Sequence, residues 1–219
     1  WDYNPLYYAN GYGNYFTSGT MTFDNNNNIT AAFYKYPFPI LKTEKSTRSL
    51  YTVKVSMKTG KEVWHRDYAD IFPYIDAYPH SVACSDNGDV YVYAVELNNA
   101  PAFIKYTTNG KYRWTVNEAN ASYNQSYNKN LLAIDSDNKI IFAYQNGVSK
   151  FDSSGSLLWK KPFPPDLYTA SVKTDSVNNV YVTGTVYTNY IASTNTVKLN
   201  KKGRVIWSSS NNNHNLSSV

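Results

Sequence analysis

The residues best suited to chemistry in this sequence lack the spacings that metal sites require. The three histidines lie far apart and have no nearby cysteine, so they match no zinc site; they are His65, His80 and His214. Asp-rich segments at 86–89, 135–138 and 175–178 offer carboxylate oxygens, but they lack the glycine and the distal glutamate of a calcium loop. We therefore expect these segments to be turns, and we expect neither a metal ion nor another cofactor.

Groups that could perform catalysis are equally isolated. The sequence contains no Gly-x-Ser-x-Gly elbow and no glycine-rich phosphate-binding loop. Asp70 and Asp76 are the kind of carboxylates that an enzyme acting on polysaccharide places in a central cleft, but nothing in the sequence singles them out. We expect no catalytic residue and a non-enzymatic protein, with a polysaccharide-cleaving enzyme as the alternative.

Tyrosine is the residue that most strongly suggests binding, since the chain contains 22 of them. Many lie in long connecting segments together with asparagine. A tyrosine ring offers a flat apolar face, few rotamers and one hydroxyl, which suits contact with a glycan or a protein subunit. The predicted binding residues are Tyr74, Tyr78, Tyr123, Tyr168 and Tyr187. The turns at 58–61 and 201–203 are predicted to take no part.

A repeat predicts the elements that would position these tyrosines. The pattern Lys-apolar-x-x-x-Gly-x-x-x-Trp occurs four times, with one extra residue before the first glycine. Its glycines and tryptophans are Gly60, Gly110, Gly155, Gly203, Trp64, Trp114, Trp159 and Trp207. An apolar strand, an Asp/Asn turn and a second apolar strand precede each copy, as at 82–93. Four strands in each unit of 45 to 50 residues are typical of a β-propeller blade.

The predicted fold is therefore all-β: a β-propeller with four complete four-stranded antiparallel blades in one domain over 1–219. The blades are expected at about 20–66, 80–116, 131–161 and 170–209. Residues 1–19 and 210–219 are expected to be flanking strands or connectors. They either belong to a larger propeller with further blades from the same parent chain, or close a ring of four or five blades.

Two segments carry a resemblance to known propellers. These are Thr-Gly-Lys-Glu-Val-Trp at 59–64 and Lys-Leu-Asn-Lys-Lys-Gly-Arg-Val-Ile-Trp at 198–207. The units resemble the blades of quinoprotein (PQQ-like) dehydrogenases and SBBP-type repeats. The resemblance implies that the four tryptophans pack between neighbouring blades as core residues. It also implies a second alternative function, a fragment of a quinone-dependent dehydrogenase, although the calcium site and central aspartate of such an enzyme have no evident counterpart here.

Charge, apolar runs and short motifs limit the partners and locations that the protein is expected to have. The net charge is +5, but the basic residues are scattered, with adjacent pairs only at 160–161 and 201–202, so no nucleic-acid partner is expected. No apolar run approaches the roughly 18 residues of a membrane span. Asn-x-Ser/Thr patterns at 28, 120, 124 and 215 are compatible with an extracellular, cell-surface or virion location. We expect a binding or structural module in one of these places.

Overall fold

The computed structural model describes residues 13–38, 49–72, 77–96, 101–117, 131–164, 166–188 and 191–211. These residues form four sheets of four strands each, and every strand is antiparallel to its neighbours within its own sheet. Apart from one 3-10 turn at Tyr68–Asp70, the described residues contain no helix. None of them forms a helix long and apolar enough to cross a membrane. The all-β fold with four four-stranded blades is confirmed.

Each blade uses four consecutive strands. The first blade contains β1 (Gly13–Phe23), β2 (Asn28–Phe38), β3 (Ser49–Ser56) and β4 (Glu62–Asp67). The second contains β5 (Ala77–Cys84), β6 (Val90–Glu96), β7 (Pro101–Tyr106) and β8 (Tyr112–Asn117). The third contains β9 (Leu132–Ile134), β10 (Ile140–Tyr144), β11 (Gly147–Phe151) and β12 (Leu157–Pro162). The fourth contains β13 (Leu167–Thr174), β14 (Val180–Thr188), β15 (Ile191–Leu199) and β16 (Val205–Asn211).

Some blades begin earlier than their predicted positions. β1 begins at Gly13 and β5 at Ala77, where the sequence analysis placed the starts near 20 and 80. β1 keeps pairing with β2 as far as Gly13, so part of the predicted flanking segment is a strand of the first blade. The rest of that segment, 1–12, and residues 212–219 lie outside the described residues.

Aspartates close the turns between the first two strands of three blades. The Asp24 carboxylate accepts hydrogen bonds from the backbone N–H groups of Asn26 and Asn28, each at 2.9 Å. Asp135 and Asp175 make the same pair of bonds in the third and fourth blades. An Asp side chain that binds its own backbone two residues onward forms an Asx turn. The Asp-rich segments are therefore turns, as predicted.

Tryptophan joins each blade to the next. The Trp64 indole Nε1 donates a hydrogen bond of 2.9 Å to the carbonyl of Thr108 in the second blade. A Cβ atom at Gly110 would lie 2.6 Å from the same indole, and Gly110 has a φ of 74°, so the site needs glycine for both space and conformation. Trp114 donates to the Ser153 carbonyl and Trp159 to the Lys201 carbonyl, in the turns of Gly155 and Gly203.

The predicted core position of all four tryptophans is wrong for Trp207. Trp64 is buried, and Trp114 and Trp159 are half-buried against the apolar core. Trp207 is 42% exposed. The physical reason is that the described residues place no glycine turn against its indole, so the repeat position alone does not bury it.

The apolar core lies between the blades. Each blade presents one face to the blade before it and the other to the blade after it, so successive sheets cover each other's apolar side chains. β1 packs against β5, β5 against β9, and β9 against β13. Ion pairs accompany this packing: Lys54 contacts the buried Asp24 at 2.8 Å, and Lys105 contacts the half-buried Asp89 at 2.9 Å. Within the described residues, the blades therefore pack on one another in the order in which they occur in the sequence.

Candidate binding face on the fourth blade

The structure describes three of the five predicted binding tyrosines and places Tyr78 away from the Tyr168–Tyr187 pair. Tyr74 and Tyr123 lie outside the described residues. Tyr78, in β5, is half-buried and stacks on Tyr34 of the first blade, with ring centroids 4.0 Å apart and an angle of 14° between the planes. This contact joins two blades, so at least one face of the Tyr78 ring is used inside the protein.

Tyr168 and Tyr187 are brought together on the surface of the fourth blade. Their ring centroids lie 5.6 Å apart with an angle of 81° between the planes, the edge-to-face geometry that aromatic pairs favour. Tyr168 is 37% exposed and Tyr187 is 54% exposed. Although 19 residues separate them in the sequence, they meet because β13 pairs antiparallel with β14.

A long hairpin carries Tyr187 away from the main body of the sheet. β14 and β15 have nine residues each, whereas the matching strands of the third blade, β10 and β11, have five. Four extra residues lengthen a strand by about 13 Å. The residues of this hairpin are rich in Thr and Val, whose branched side chains favour extended backbone.

Hydroxyl groups cover the sheet face beside this tyrosine pair. Strand alternation and cross-strand pairing place one set of side chains together: Tyr181, Thr183, Thr185 and Tyr187 on β14, Thr194, Thr196 and Lys198 on β15, and Trp207, Ser209 and Asn211 on β16. Thr183 Oγ1 and Thr196 Oγ1 are 3.4 Å apart. The other side of the sheet buries Val180, Val182 and Leu199 completely. We call the first set, together with Tyr168, the fourth-blade face.

A second aromatic cluster lies at the other end of this face. The rings of Tyr181 and Trp207 are 6.3 Å apart, and Lys198 Nζ lies 5.0 Å from the centre of the Tyr181 ring. Hydrogen bonding to Tyr181 raises the pKa of Lys198, while a hydrogen bond from the Asn179 amide lowers the pKa of Asp175. Tyr181 also donates to Asp175 at 3.1 Å. This end therefore carries one fixed cation and one fixed anion at neutral pH.

The described histidines, His65 and His80, and the described candidate carboxylate, Asp70, form no joint cluster. His65 is exposed and contacts Glu62 at 2.6 Å, whereas His80 is buried beside Tyr93. Asp70 is exposed in the 3-10 turn, and Asp76 and His214 lie outside the described residues. Within the described ranges, no three His, Cys, Asp or Glu side chains gather in a way that could hold a metal ion.

Sequence reasoning missed the threonines of the fourth-blade face. The signal was present as an alternation of Thr or Tyr with apolar residues over 180–187. That alternation predicts one polar and one buried face. The sequence could not show which of the two faces the neighbouring blade covers.

Comparisons with known proteins show the fold. No protein-family model and no curated protein matches the chain. A protein of unknown function from Bacteroides caccae is similar over 89% of this chain and 61% of its own, with 11% identity and a TM-score of 0.54. Streptogramin B lyase is similar over 94% of this chain and 74% of its own, with 11% identity and a TM-score of 0.50. The chain thus spans less than two thirds of the Bacteroides protein, and the likeness supports the β-propeller fold.

Proposed function

We propose that this β-propeller is a non-enzymatic binding module that contacts a glycan through the fourth-blade face. The observation that carries the proposal is the exposed Tyr168–Tyr187 pair beside rows of threonine hydroxyls. The proposal includes an extracellular, cell-surface or virion location and a kinship of the blades with the quinoprotein-like and SBBP-type repeats.

The chemistry of the face fits a sugar better than an apolar ligand. A sugar ring presents C–H groups that pack on the negative face of an aromatic ring. Its hydroxyls both donate and accept hydrogen bonds, as threonine hydroxyls do. Tyr187 and the row formed by Thr185 and Thr194 offer both kinds of contact on one flat surface. Two pre-ordered rings also lose little rotamer freedom on binding.

The fourth-blade face is held in place by regular secondary structure, which supports recognition of a ligand without a deep pocket. Its threonines lie on paired strands, whose backbones are held by a continuous antiparallel ladder from β13 to β16. Exposed apolar rings are costly to leave in water when they cluster, so a ligand that covers Tyr168 and Tyr187 gains from their burial. An extended oligosaccharide could lie along the hydroxyl rows from Tyr187 towards Tyr181.

The test is a glycan array followed by titration of the best ligand. Tyr187→Ala and Tyr168→Ala are expected to weaken binding at least tenfold, since an aromatic anchor contributes about 1.4 kcal/mol or more at a binding site. Leu158→Ala is the matched control, because Leu158 is exposed on the third blade and lies outside this face. Unchanged binding by both tyrosine variants, or loss of binding on substituting Lys58, Lys201 and Lys202, would place the site elsewhere.

A further inference from the structure

The turn between the third and fourth strands of a blade lies at the outer edge of its sheet. In the second, third and fourth blades this turn is closed by the same backbone hydrogen bond, as from the Thr107 N–H to the Lys111 carbonyl. The strands that follow, β8, β12 and β16, are edge strands, and the first strands, which pack on one another, are the opposite edges of the sheets. We call the outer segments of these three blades the outer rim, which consists of 111–113, 156–158 and 201–206.

Tryptophan joints bring the three segments of the outer rim together. In each joint, an indole packs on the glycine turn of the next blade. Trp159 donates to the Lys201 carbonyl at 3.0 Å, so the fourth-blade segment begins next to the strand that carries Leu158. Trp114 donates to the Ser153 carbonyl at 3.3 Å, which places the second-blade segment beside the turn of the third blade.

The cations of the outer rim are not neutralised by the fold. Within the described part of the chain, none of them forms an ion pair, whereas lysines inside the same blades do, as Lys105 does with Asp89 at 2.9 Å. The three turns contain one carboxylate, Asp152, whose pKa is lowered by a hydrogen bond from the Ser154 side chain. The rim therefore keeps a positive net charge. Its exposed cations are Lys111, Arg113, Lys201, Lys202 and Arg204.

Exposed apolar side chains lie between these cations. Leu157 is 51% exposed and Leu158 is 49% exposed, in the third-blade segment of the rim. Ile206, which like Leu158 directly precedes the repeat tryptophan, is also exposed. Clustered exposed apolar groups mark interaction surfaces. The outer rim thus has an aliphatic centre with cations in the blade on either side.

The exposure of the outer rim does not come from a missing neighbour. The second and third blades have a described blade on each side, yet all four of their charged or large apolar rim residues are exposed. The turn of the fourth blade packs on Trp159 of the third, and Lys202 and Arg204 beside it are exposed as well. The rim is therefore an outward surface of the repeat itself.

We propose that the outer rim adsorbs onto a membrane surface that contains anionic lipid head groups. Lysine and arginine side chains near such a surface are attracted by its negative potential. The leucine and isoleucine side chains between them enter the boundary between the head groups and the acyl chains, as the apolar side of an interfacial segment does. A soluble polyanion would use the cations and leave the leucines in water, whereas a lipid surface covers both.

Adsorption leaves the proposed glycan contacts accessible. Tyr187 pairs with Ala192, which lies seven residues before Leu199, where the turn of the fourth blade begins. This separation is about 23 Å along β15. Membrane adsorption and glycan binding therefore depend on opposite ends of the fourth blade, and each can fail without the other.

Co-sedimentation with vesicles tests the proposal with the full chain. The wild type is expected to bind vesicles of phosphatidylcholine and phosphatidylglycerol, but not vesicles of phosphatidylcholine alone. Raising the salt concentration from about 0.05 to 0.5 M should weaken binding, because salt screens exposed charges. Lys201→Ala with Lys202→Ala is expected to lower the partition coefficient at least tenfold, since each cation near the surface contributes a factor of about five.

A second variant and a matched control separate lipid contact from charge. Leu157→Ser with Leu158→Ser keeps every cation and is expected to weaken binding roughly tenfold, because two apolar side chains lose their contact with the acyl region. Lys160→Ala with Lys161→Ala removes the same charge from the other adjacent lysine pair, towards the end of β12 away from its turn. This control should bind nearly as the wild type does, while circular dichroism verifies that every variant is folded.

Several outcomes would overturn the proposal. One is a wild-type protein that does not bind the anionic vesicles, or that binds the neutral vesicles equally well. Another is a leucine variant that binds as the wild type does, which would show that the rim recognises charge alone, as binding to soluble heparin also would. Equal losses in the two lysine variants would show that only the net charge matters. Tyr187→Ala should lose glycan binding and keep vesicle binding, so the two proposals are tested separately.

Discussion

Trp64 and Trp207 occupy the same position in the repeat and have opposite environments. Each is paired across the strand with a lysine, Lys54 in one blade and Lys198 in the other. Trp64 is 6% exposed, because the turn of Gly110 in the next blade covers its indole, whereas Trp207 has no such turn against it in the described residues. The comparison shows that the tryptophan is only one partner of the contact. Whether its indole is buried depends on the glycine turn of the next blade.

The largest effect is expected when each of these two tryptophans is replaced by alanine in a separate variant. Trp64→Ala is expected to cost about 3–5 kcal/mol of unfolding free energy, because it leaves a cavity between two blades and an unpaired Thr108 carbonyl. Trp207→Ala is expected to cost below about 1 kcal/mol at low protein concentration. Urea melts followed by far-UV circular dichroism provide the measurement. Equal costs at the two positions would contradict the idea that the next blade decides the burial.

A smaller effect is expected from the glycine side of the joint. Gly110→Ala places a Cβ 2.6 Å from the Trp64 indole at a φ of 74°, so we expect a loss of about 2–4 kcal/mol from steric overlap and backbone strain. Gly155→Ala is the graded control, since its Cβ would lie 3.2 Å from Trp114 at a φ of 90°. Its loss should be the smaller of the two in the same urea melts, and a larger loss would show that the indole contact does not set the cost.

The smallest effect concerns the ion pair behind the Trp64 joint. Burial alone would raise the pKa of Asp24, but hydrogen bonds from Lys54 and Asn28 outweigh it and lower the pKa below the ordinary value of 3.8. Because the folded-state pKa is lower than the unfolded one, this group stabilises the fold above the unfolded pKa. Its contribution is lost as pH falls through the folded pKa.

We therefore expect the unfolding free energy of the wild type to fall below about pH 4, the unfolded pKa range of aspartate. The fall should be shallower in Asp24→Asn, which has no carboxylate to protonate at this position. Thermal melts of both proteins between pH 2 and 6, at roughly 0.1 M salt to limit long-range charge effects, provide the measurement. Parallel curves for the two proteins would show that the Asp24–Lys54 pair contributes nothing to the pH dependence.

The binding residues are harder to predict from the sequence than the fold is. Tyr78 and Tyr168 both lie near the start of a blade's first strand, yet Tyr78 stacks on Tyr34 and Tyr168 contacts the exposed Tyr187. No local pattern separates them, because the difference comes from whether a preceding blade places a ring beside the tyrosine. The threonine rows of the fourth-blade face could not be predicted for the same reason. Strand alternation shows that a sheet has one polar and one apolar face, but it does not show which face a neighbouring blade covers.

The sequence by itself determined the local structure of each blade. Strand alternation, Asp-closed turns and the positive-φ glycines follow from interactions among residues close together in the chain, so the repeat predicted four antiparallel sheets. Only the tertiary structure decided that Trp64 is buried and Trp207 exposed, and that Tyr168 and Tyr187 form a surface pair. The physical reason is that burial depends on the neighbouring sheet, whose contacting turn lies more than 40 residues away, as Thr108 does from Trp64.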